Sequence, residues 1–406
     1  MPIRNDIHPG ALRTVKRLVD AGYEAYIVGG AVRDLLLGLH PKDYDIATSA
    51  TPEQVRDVFG RKRARIIGRR FRIVHVLDGN DCFEVSTFRR QPAPDERKGR
   101  QDDDGVMLWR DNEFGSLEED AMRRDFTVNS LYYDPQAGPD TSVVDHVGGL
   151  EDLRHGRIRA TTAARRQLEE DPVRILRALK LVGQYRFHLS DELAAAVDEL
   201  ADRISLSSRA RLFEELLKIL GKPYCLPTFE AFEEHAFLAH FWPNFHRLFR
   251  SEDGDLVRAL LGERDRQVRE RDYTQAKTLM IATLCLVPVS RELGGDPRTL
   301  WQHDVGLERA ARDAVVEFMK PFPVPRFLTA RARDVLLLLP KFLNADTPSR
   351  RLQNHPEYKY ARELFLAWGH CVGLEEEQRT LWPEPPDGEP QRRRRGRRPR
   401  RNKRRR

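Results

Sequence analysis

The sequence predicts an α+β protein, in which a first lobe of strands and helices is followed by a region made almost entirely of helices. Up to about residue 150, short runs rich in β-branched and aromatic residues predict strands, with helical stretches between them. Beyond residue 150 the apolar residues recur at helical spacing, as Val173, Leu176 and Leu179 do. A chain of 406 residues is long enough for two or three domains.

Composition excludes several classes of protein. The sequence has no apolar run long enough to span a membrane as a helix, and its N-terminus lacks the apolar core of a signal peptide. We therefore expect a soluble, cytoplasmic protein. The four cysteines, Cys82, Cys225, Cys285 and Cys371, are far apart and make neither a CxxC pair nor a zinc spacing. Reduced, buried thiols are expected rather than a disulfide framework.

Positive charge is concentrated at the C-terminal end. Residues 391–406, QRRRRGRRPRRNKRRR, contain eleven arginines, one lysine and no acidic residue. Removing these twelve charges from the net charge of +7 leaves −5 for residues 1–390. A block of like charge is predicted to be disordered. Its favoured function is contact with RNA phosphates, and the alternatives are a solubilising end or contact with an anionic membrane.

The strongest functional signal lies between Tyr26 and Thr48. Tyr26 to Val28 predict a strand, Gly29 and Gly30 follow directly, and residues 31–37 predict a short helix. Glycines let backbone N–H groups approach an anion closely, and a helix N-terminus carries the positive end of the dipole. A phosphate group is therefore expected near these glycines.

Two carboxylates follow this helix. The segment from Asp43 to Ala47 predicts a strand, and residues i and i+2 of a strand point to the same face, so Asp43 and Asp45 should lie side by side. Such a pair is costly without a cation, and hard oxygen ligands suit Mg²⁺, which keeps other positions for water and substrate phosphates. Most isolated DxD sequences are solvated carboxylates. Here the order of strand, glycine pair, helix and DxD favours a two-metal nucleotidyl transfer site.

The rest of the first lobe supplies further candidates. Strands are predicted at residues 66–67, 73–77 and 82–87, and Glu84 on the last of them is either a third carboxylate of the site or an outward-facing surface residue. The basic segment 68–72 is either a solvated turn or a contact to a triphosphate or an RNA end. Residues 90–115 are rich in Pro, Asp, Arg and Gly, which predicts a long loop that could cover the site.

Polar residues cluster again after a second helix start. Ser116 to Glu119 form a capping box, and the helix leads into RRDFTVN, residues 123–129. Two arginines, an aspartate and an asparagine in seven residues can bind phosphate, a metal or ribose hydroxyls. A short RRD sequence alone is more often a surface cluster of salt bridges.

The helical region contains one candidate for recognition of a base. Asp171 and Pro172 predict a helix start, and Asp171, Arg174 and Arg177 follow at a spacing of three residues. Together they offer the acceptors and donors that a base edge requires, although a solvated helix face with one ion pair is the commoner case. The HD pair at residues 303–304 has no partners at metal-ligand spacing, so we interpret it as structural.

Five sequence segments, taken in order, resemble the motifs of the class II nucleotidyltransferases: VGGAVRDLLLG, KDYDIAT, EVSTFRR, EEDAMRRDFTVNSLYYD and EEDPVRILRALK. This family comprises bacterial CCA-adding enzymes and poly(A) polymerases, and the resemblance extends from about residue 8 to residue 220. GRRFRIVHV, RDNEFGS, SSRARLFEELLK and the basic tail are more similar to the poly(A) polymerase branch. No HD hydrolase domain, which some CCA-adding relatives contain, is evident.

The resemblance implies a fold and a domain organisation. It implies a nucleotidyltransferase head with a small mixed sheet and flanking helices, followed by all-helical neck, body and tail parts. The expected domains are the head at residues 1–150, a neck with the base-recognition motif at 151–220, a body and RNA-binding region at 221–380, and a disordered Arg-rich tail at 381–406.

The resemblance also implies roles for individual residues. The expected catalytic residues are Asp43, Asp45, Asp125 and Glu84, of which Asp43 and Asp45 hold Mg²⁺ and Glu84 is a possible further ligand. The residues expected to bind the nucleotide are Gly29, Gly30 and Arg33 near the triphosphate, Arg124 and Asn129 at phosphate or sugar, and Asp171, Arg174 and Arg177 at the base. Ser86 and Val128 depart mildly from the usual motifs, and the segment 90–107 matches poorly.

The activity implied is template-independent addition of AMP from ATP to RNA 3′ ends, which promotes RNA processing and decay. A first alternative within the family is CCA addition to tRNA. A second, from another class, is an RNA-binding protein without catalytic activity on the same scaffold, although a binding module has no need of a costly pair of carboxylates. A third is a nucleotide-binding regulator that modifies a protein.

Overall fold

The computed structural model describes residues 6–68, 72–90, 100–101, 107–108, 113–138, 141–271, 276–302, 306–344 and 347–385. It confirms the predicted α+β class, with a mixed sheet and its helices followed by a helical region. The chain forms two compact units, one of Met1–Arg247 with Pro321–Pro323 and the other of Leu248–Lys320 with Val324–Arg406. The basic segment 69–71, the HD pair, most of the segment 91–112 and the arginine tail lie outside the described residues.

A seven-stranded sheet organises the first unit. The strands of this sheet are β1 Ala25–Val28, β2 Asp45–Thr48, β3 Ala64–Ile67, β4 Ile73–Asp78, β5 Asp81–Thr87, β8 Leu131–Tyr133 and β9 Val143–Asp145. Their order across the sheet is β3-β4-β5-β2-β1-β8-β9. Neighbouring strands are antiparallel except β2 and β5, which are parallel, so the sheet is mixed as expected. Two short pairs are formed by β6 Arg100–Gln101 with β7 Met107–Leu108, and by β10 Arg157–Ile158 with β11 His188–Leu189.

Helices surround this sheet and continue along the chain. Those that begin in the first unit are α1 Pro9–Asp20, α2 Gly30–Leu36, α3 Pro52–Phe59, α4 Leu117–Arg123, α5 Gly149–Arg154, α6 Ala164–Glu170, α7 Val173–Tyr185, α8 Asp191–Leu200, α9 Arg209–Leu220, α10 Cys225–Glu234, α11 Leu238–Phe241 and α12 Pro243–Phe249. Those of the second unit are α13 Gly254–Arg271, α14 Lys277–Glu292, α15 Leu307–Phe318, α16 Arg326–Leu343, α17 Arg350–Gln353, α18 Tyr358–Cys371 and α19 Glu376–Thr380. No helix in the described part of the chain is long and apolar enough to cross a membrane.

Helices α1 and α3 cover one face of the sheet, where α1 contacts β1, β2, β4 and β5, and α3 contacts β3, β4 and β5. Ile27, Ile46 and Val85 point to this face from neighbouring strands and are buried. The predicted capping box at Thr51 starts α3, with its hydroxyl accepting from the Gln54 backbone N–H. This face is therefore the main apolar core of the head, and the opposite face is left for the site.

The opposite face is only partly covered. Val28, Ala47 and Tyr132 of the sheet form a buried cluster with Phe88 and with Ala121 of α4. Helix α4 begins at the second predicted capping box, that of Ser116. Because this cluster covers only the side of the sheet near β1 and β8, the polar residues of β2 and β5 on the same face stay accessible.

Two element boundaries differ from the prediction in ways that matter for the site. Strand β2 begins at Asp45, so Asp43 lies just before the strand rather than within it. Helix α7 begins at Val173, and Pro172 is its N-cap residue. Asp171 follows the last residue of α6 in an extended conformation, with a φ of −148°. Asp171 therefore lies at a corner between two helices and does not share a continuous helix face with Arg174 and Arg177.

Candidate active site

A row of polar residues crosses the uncovered face of the sheet. Asp45 of β2 pairs with Glu84 of the parallel strand β5, and Glu84 pairs in turn with His75 of β4. Residues paired across neighbouring strands point to the same face. His75 Nε2 lies 3.5 Å from Glu84 Oε1. The structure thus brings Glu84 beside Asp45, as a third carboxylate would require, and its role as a metal ligand stays a prediction.

Asp43 joins these carboxylates from the segment before β2. Asp43 and Asp45 are exposed, whereas Tyr44 between them is buried and its hydroxyl donates to the Asp6 carbonyl at 3.2 Å. This alternation indicates that the two aspartates face the same side, although only Asp45 belongs to the strand. The expected pairing of the two carboxylates is therefore compatible with the backbone.

The carboxylates affect each other electrostatically. Asp45 has exposed surface, but its carboxylate stands in a concave site whose walls reduce its hydration. This loss of hydration raises the pKa of Asp45 to about 6, with the charges of Glu84 and Asp43 adding to the effect. Arg124 and Arg177 oppose it. Glu84 and Asp43 thus place further negative charge near Asp45, which is what a cation site needs.

Next to the carboxylates lies a cavity of about 410 Å³. Its walls combine carboxylates, small hydroxyl side chains and four arginines, which suits a ligand that carries phosphates and cations. The cavity is lined by Val28, Asp45, Ile73, Glu84, Ser86, Thr87, Arg89, Asp120, Arg123, Arg124 and Arg177.

Arg124 is held rigidly in this wall. Its Nε and Nη2 donate to Asp120 Oδ2 at 3.1 and 2.9 Å, and its guanidinium carbon lies 5.2 Å from the centre of the Tyr132 ring. The Tyr132 hydroxyl donates to the same oxygen at 2.7 Å, while the Arg89 backbone N–H donates to Asp120 Oδ1 at 3.1 Å. Burial alone would lower the pKa of Arg124, but Asp120 and Tyr132 together have a larger effect and raise this pKa, so the guanidinium stays charged. Asp120 and Tyr132 were not predicted, although Asp120 stands four residues before Arg124 in the same motif.

Asp125 is buried and lies between two elements. Its Oδ1 accepts from the Phe126 backbone N–H at 2.9 Å and from Asn129 Nδ2 at 3.1 Å, and its Oδ2 lies 3.0 Å from Arg177 Nη2 of α7. Burial would raise the pKa of Asp125, but Arg177 and the Asn129 hydrogen bond hold it below its ordinary value. Asp125 does not belong to the lining of the cavity in the described residues.

The glycine pair joins β1 to α2, as the sequence predicted. Gly29 follows Val28 of the cavity wall and has a φ of +77°, which favours glycine, and Gly30 is the first residue of α2. Arg33, expected at a triphosphate, is buried instead, and its guanidinium donates to Asp34, Asn129 and Tyr185. In this structure Arg33 therefore connects protein groups, and Tyr185 is a contact that sequence analysis missed.

The predicted base-recognition residues are brought together only in part. Arg177 lines the cavity, whereas Arg174 Nη1 donates to the Gln167 carbonyl at 3.1 Å. Asp171 accepts two hydrogen bonds from Arg211 of α9, with Nη1–Oδ1 at 3.0 Å and Nη2–Oδ2 at 2.7 Å. Arg211 lies in the segment SSRARLFEELLK and was not assigned a role from sequence.

The donor set fits a hard divalent cation that is completed by its substrate. Within the described ranges, no group of three or more His, Cys, Asp and Glu side chains is arranged to hold a metal by itself. Mg²⁺ commonly takes one or two protein carboxylates and fills its remaining positions with water and phosphate oxygens. Asp45 and Glu84 on neighbouring strands, with Asp43 before them, match that pattern.

Family models and relatives place the chain in a known family. A family model described as "Poly A polymerase head domain" matches residues 25–159, and another, described as "Probable RNA and SrmB-binding site of polymerase A", matches residues 186–249. Poly(A) polymerase I of Salmonella typhimurium is 37% identical over 372 residues, which cover 89% of this chain and 78% of that protein. The chain belongs to the class II nucleotidyltransferase family, and it is a template-independent RNA nucleotidyltransferase. The resemblance seen in the motifs is confirmed.

The CCA-adding branch matches a shorter part of the sequence. The CCA-adding enzyme of Lactobacillus gasseri is 36% identical over 230 residues, which cover 56% of this chain and 54% of that protein. A solved structure of the Bacillus stearothermophilus CCA-adding enzyme in complex with CTP matches with a TM-score of 0.58 and 26% identity, and it covers 93% of this chain and 80% of that one. Both branches share the fold, so the choice between them depends on the site and on the extent of sequence similarity.

Proposed function

We propose that this chain is a poly(A) polymerase, a polynucleotide adenylyltransferase that adds AMP from ATP to RNA 3′ ends. The observation that carries the proposal is the pairing of Asp45 with Glu84, beside Asp43, at the edge of an arginine-lined cavity. The branch is favoured because similarity to poly(A) polymerase I extends over 89% of the chain, against 56% for the CCA-adding relative. The RNAs extended by this activity would enter processing and decay.

The carboxylates have the first role in this mechanism. Asp43 and Asp45 would hold Mg²⁺, with Glu84 as a further ligand. When bound, Mg²⁺ increases the acidity of the RNA 3′ hydroxyl and neutralises charge on the leaving pyrophosphate. Asp45 ionises with a pKa of about 6, so near neutral pH most of it carries the charge that a cation requires.

The arginines have the second role, which is to balance the charge of the triphosphate. Arg124 is held in place by Asp120 and Tyr132, so its charge is positioned before substrate enters. Arg89 and Arg123 line the same cavity, and Arg177 reaches it from α7. Charges held in advance contribute more to phosphoryl transfer than charges that must reorganise.

Asp125 and Asn129 would act on the nucleotide through Arg177, which is one of the described residues that line the cavity, whereas they are not. Asp125 Oδ2 lies 3.0 Å from Arg177 Nη2, and Asn129 Nδ2 donates to Asp125 Oδ1 at 3.1 Å. The two residues would therefore hold the Arg177 charge in place for a phosphate or a sugar hydroxyl. Gly29 and Gly30 would let the backbone approach the phosphates closely.

Base selection would depend on the corner before α7. Asp171 and Arg174 offer an acceptor and a donor, the pair that matches the exocyclic amine and ring nitrogen of adenine and also those of cytosine. Arg211 holds both Asp171 oxygens, which limits the orientations of that carboxylate. Such a restricted carboxylate would exclude guanine and uracil by hydrogen-bond direction, whereas adenine and cytosine, which differ in size, would be separated by where the pair is held.

RNA would contact the helical regions. We assign the head to residues 1–150, the neck to 151–220 and the RNA-binding body to 221–380, and the family model for an RNA-binding site at residues 186–249 supports RNA contacts beyond the head. The arginine tail at 391–406 would add a salt-dependent tether to phosphates.

The test is incubation of the full chain with a generic single-stranded RNA, Mg²⁺ and each nucleotide separately. Long A tracts from ATP, with little extension from CTP, GTP or UTP, are the expected result. Ordered addition of C, C and A to a truncated tRNA, with no long tract, would favour CCA addition. RNA binding without extension by any nucleotide would instead favour a non-catalytic RNA-binding protein.

A further inference from the structure

A partly buried hydrogen-bond network connects the last residue of α7 to the glycine-loop helix α2. The Tyr185 hydroxyl donates to Asp34 Oδ1 at 2.6 Å and accepts from Arg33 Nη2 at 2.6 Å. Gln184 Nε2 lies 2.6 Å from the same hydroxyl. The Arg33 guanidinium carbon also lies 4.6 Å from the centre of the Tyr185 ring. One tyrosine thus holds an arginine by both its ring and its hydroxyl.

The network continues from Arg33 to the active-site segment. Arg33 Nη1 donates to Asn129 Oδ1, and Asn129 Nδ2 donates to Asp125 Oδ1 at 3.1 Å. Asp125 Oδ2 lies 3.0 Å from Arg177 Nη2, which returns the network to α7. The path therefore begins and ends on one helix and passes through the head between its two ends.

This closed path attaches α7 to the head at two points. Arg177 and Tyr185 are eight residues apart, so the attachments are about 12 Å apart along the helix axis. A helix held at one point can still pivot, whereas two separated points fix its tilt as well as its position. Both attachments use charged groups, whose hydrogen bonds are stronger than those between neutral groups.

The residues proposed to select the base lie at the start of this helix. Arg174 belongs to its first turn, and Asp171 lies two residues before its first residue, Val173. A change of tilt at the Tyr185 end would therefore move Arg174 relative to the carboxylates of the sheet. Displacements of about 1 Å in a reacting group cost up to about a hundredfold in rate.

We propose that Tyr185 is a positioning residue for nucleotide selection, which acts by locking the far end of α7 to Arg33 and Asp34 of α2. This inference depends on the proposed function, because it takes Asp171 and Arg174 as the residues that select the base. It also gives Arg33 a role different from direct contact with the triphosphate: Arg33 connects Tyr185 to Asn129.

The test compares three variants of the full chain. Y185F keeps the ring over Arg33 and removes the hydroxyl, and Y185L removes both. Tyr358→Phe is the matched control, because the Tyr358 hydroxyl donates one hydrogen bond to the Pro383 carbonyl at 2.8 Å within the second unit. For each protein, the ratio of Kd values for CTP and ATP, the ratio of kcat/KM values for the two nucleotides and the melting temperature are measured.

The expected result is a fall in selectivity for ATP over CTP of roughly threefold in Y185F and roughly tenfold in Y185L. Y358F should keep the selectivity of the unaltered protein even if its melting temperature falls by as much as that of Y185F. Unchanged selectivity in both Tyr185 variants, with melting temperatures lowered, would show that Tyr185 serves stability alone and would overturn the inference.

The binding ratio separates this inference from the proposed function. If the unaltered protein fails to make A tracts but prefers ATP in binding, the proposed function fails, and loss of that preference in Y185L still supports the role of Tyr185. An unaltered protein that binds ATP and CTP equally would overturn both proposals, because no base selection would then exist at this site.

Discussion

Replacing Glu84 by glutamine tests the electrostatic account of the active site directly. The substitution removes one negative charge beside Asp45 and keeps the shape and hydrogen-bonding capacity of the side chain. Because the charge of Glu84 raises the pKa of Asp45, E84Q should lower that pKa from its value of about 6. The pKa should remain above 3.8, the ordinary value for aspartate, since reduced hydration is the larger cause of the shift.

The separation of the two strands sets the size of the effect. Paired residues on neighbouring strands are about 4.8 Å apart. Two unit charges at that distance repel by about 3.5 kcal/mol at an effective dielectric constant of about 20, and by about 0.9 kcal/mol in bulk water. Because Asp45 is exposed on one side, we expect a value nearer the lower limit, about 1.4 kcal/mol. This corresponds to a fall of about one pKa unit.

The assay is titration of the Asp45 carboxyl carbon by NMR in metal-free protein with ¹³C-labelled aspartate, assigned by comparison with D45N. E230Q is the control, because Glu230 is an exposed residue of α10 outside the cavity lining. It should leave the pKa of Asp45 unchanged. If E84Q and E230Q give the same pKa for Asp45, Glu84 does not act on Asp45 electrostatically, and the argument for a cation site at these carboxylates loses its electrostatic basis.

Further predictions concern pH, catalysis, base selection and the tail. The pKa of Asp45 is raised to about 6 in the folded state from about 3.8 when unfolded, so between these pH values the folded protein binds more protons than the unfolded protein. Metal-free protein should therefore lose stability as the pH rises from about 4 to about 6. Urea unfolding at each pH measures this loss, which should be absent from D45N. D43A and D45A should each lower nucleotide transfer by more than about a hundredfold while RNA binding survives, and near-normal polymerisation by either variant would contradict the metal-site assignment. R211A should raise the KM for ATP by about tenfold, because Asp171 loses both charge-assisted hydrogen bonds from Arg211. If the KM for ATP and the preference for ATP are unchanged in R211A, Arg211 has no role in base selection. Removing residues 391–406 should make the dependence of RNA affinity on salt concentration shallower, and an unchanged slope would exclude the tail as a phosphate tether.

Local chemistry explains why several features were predictable from sequence. The capping boxes at Thr51 and Ser116 form between residues three positions apart, so the sequence contains everything that they need. The same holds for the turn at Gly29, where a positive φ favours glycine. The α+β class and the family were likewise accessible, because periodicity and ordered motifs are properties of the chain itself.

The position of Glu84 shows where sequence analysis stops. Its strand could be predicted, but the two interpretations of the residue could not be separated without knowing which strand lies beside it. Strand β5 pairs with β2 in parallel, and this register places Glu84 opposite Asp45 rather than one residue away on the other face. Register depends on the packing of the whole sheet, so no local pattern encodes it.

The sequence alone determined the class of fold, the family, and the location of the two aspartates and the glycine turn. Each of these depends on residues that are close together in the chain. Only the tertiary structure decided which side chains meet. Arg33 is bound by a tyrosine 152 positions away, and Asp171 by an arginine 40 positions away. Neither pairing could be predicted from the sequence, because each joins side chains that only the packing of separate parts of the chain brings together.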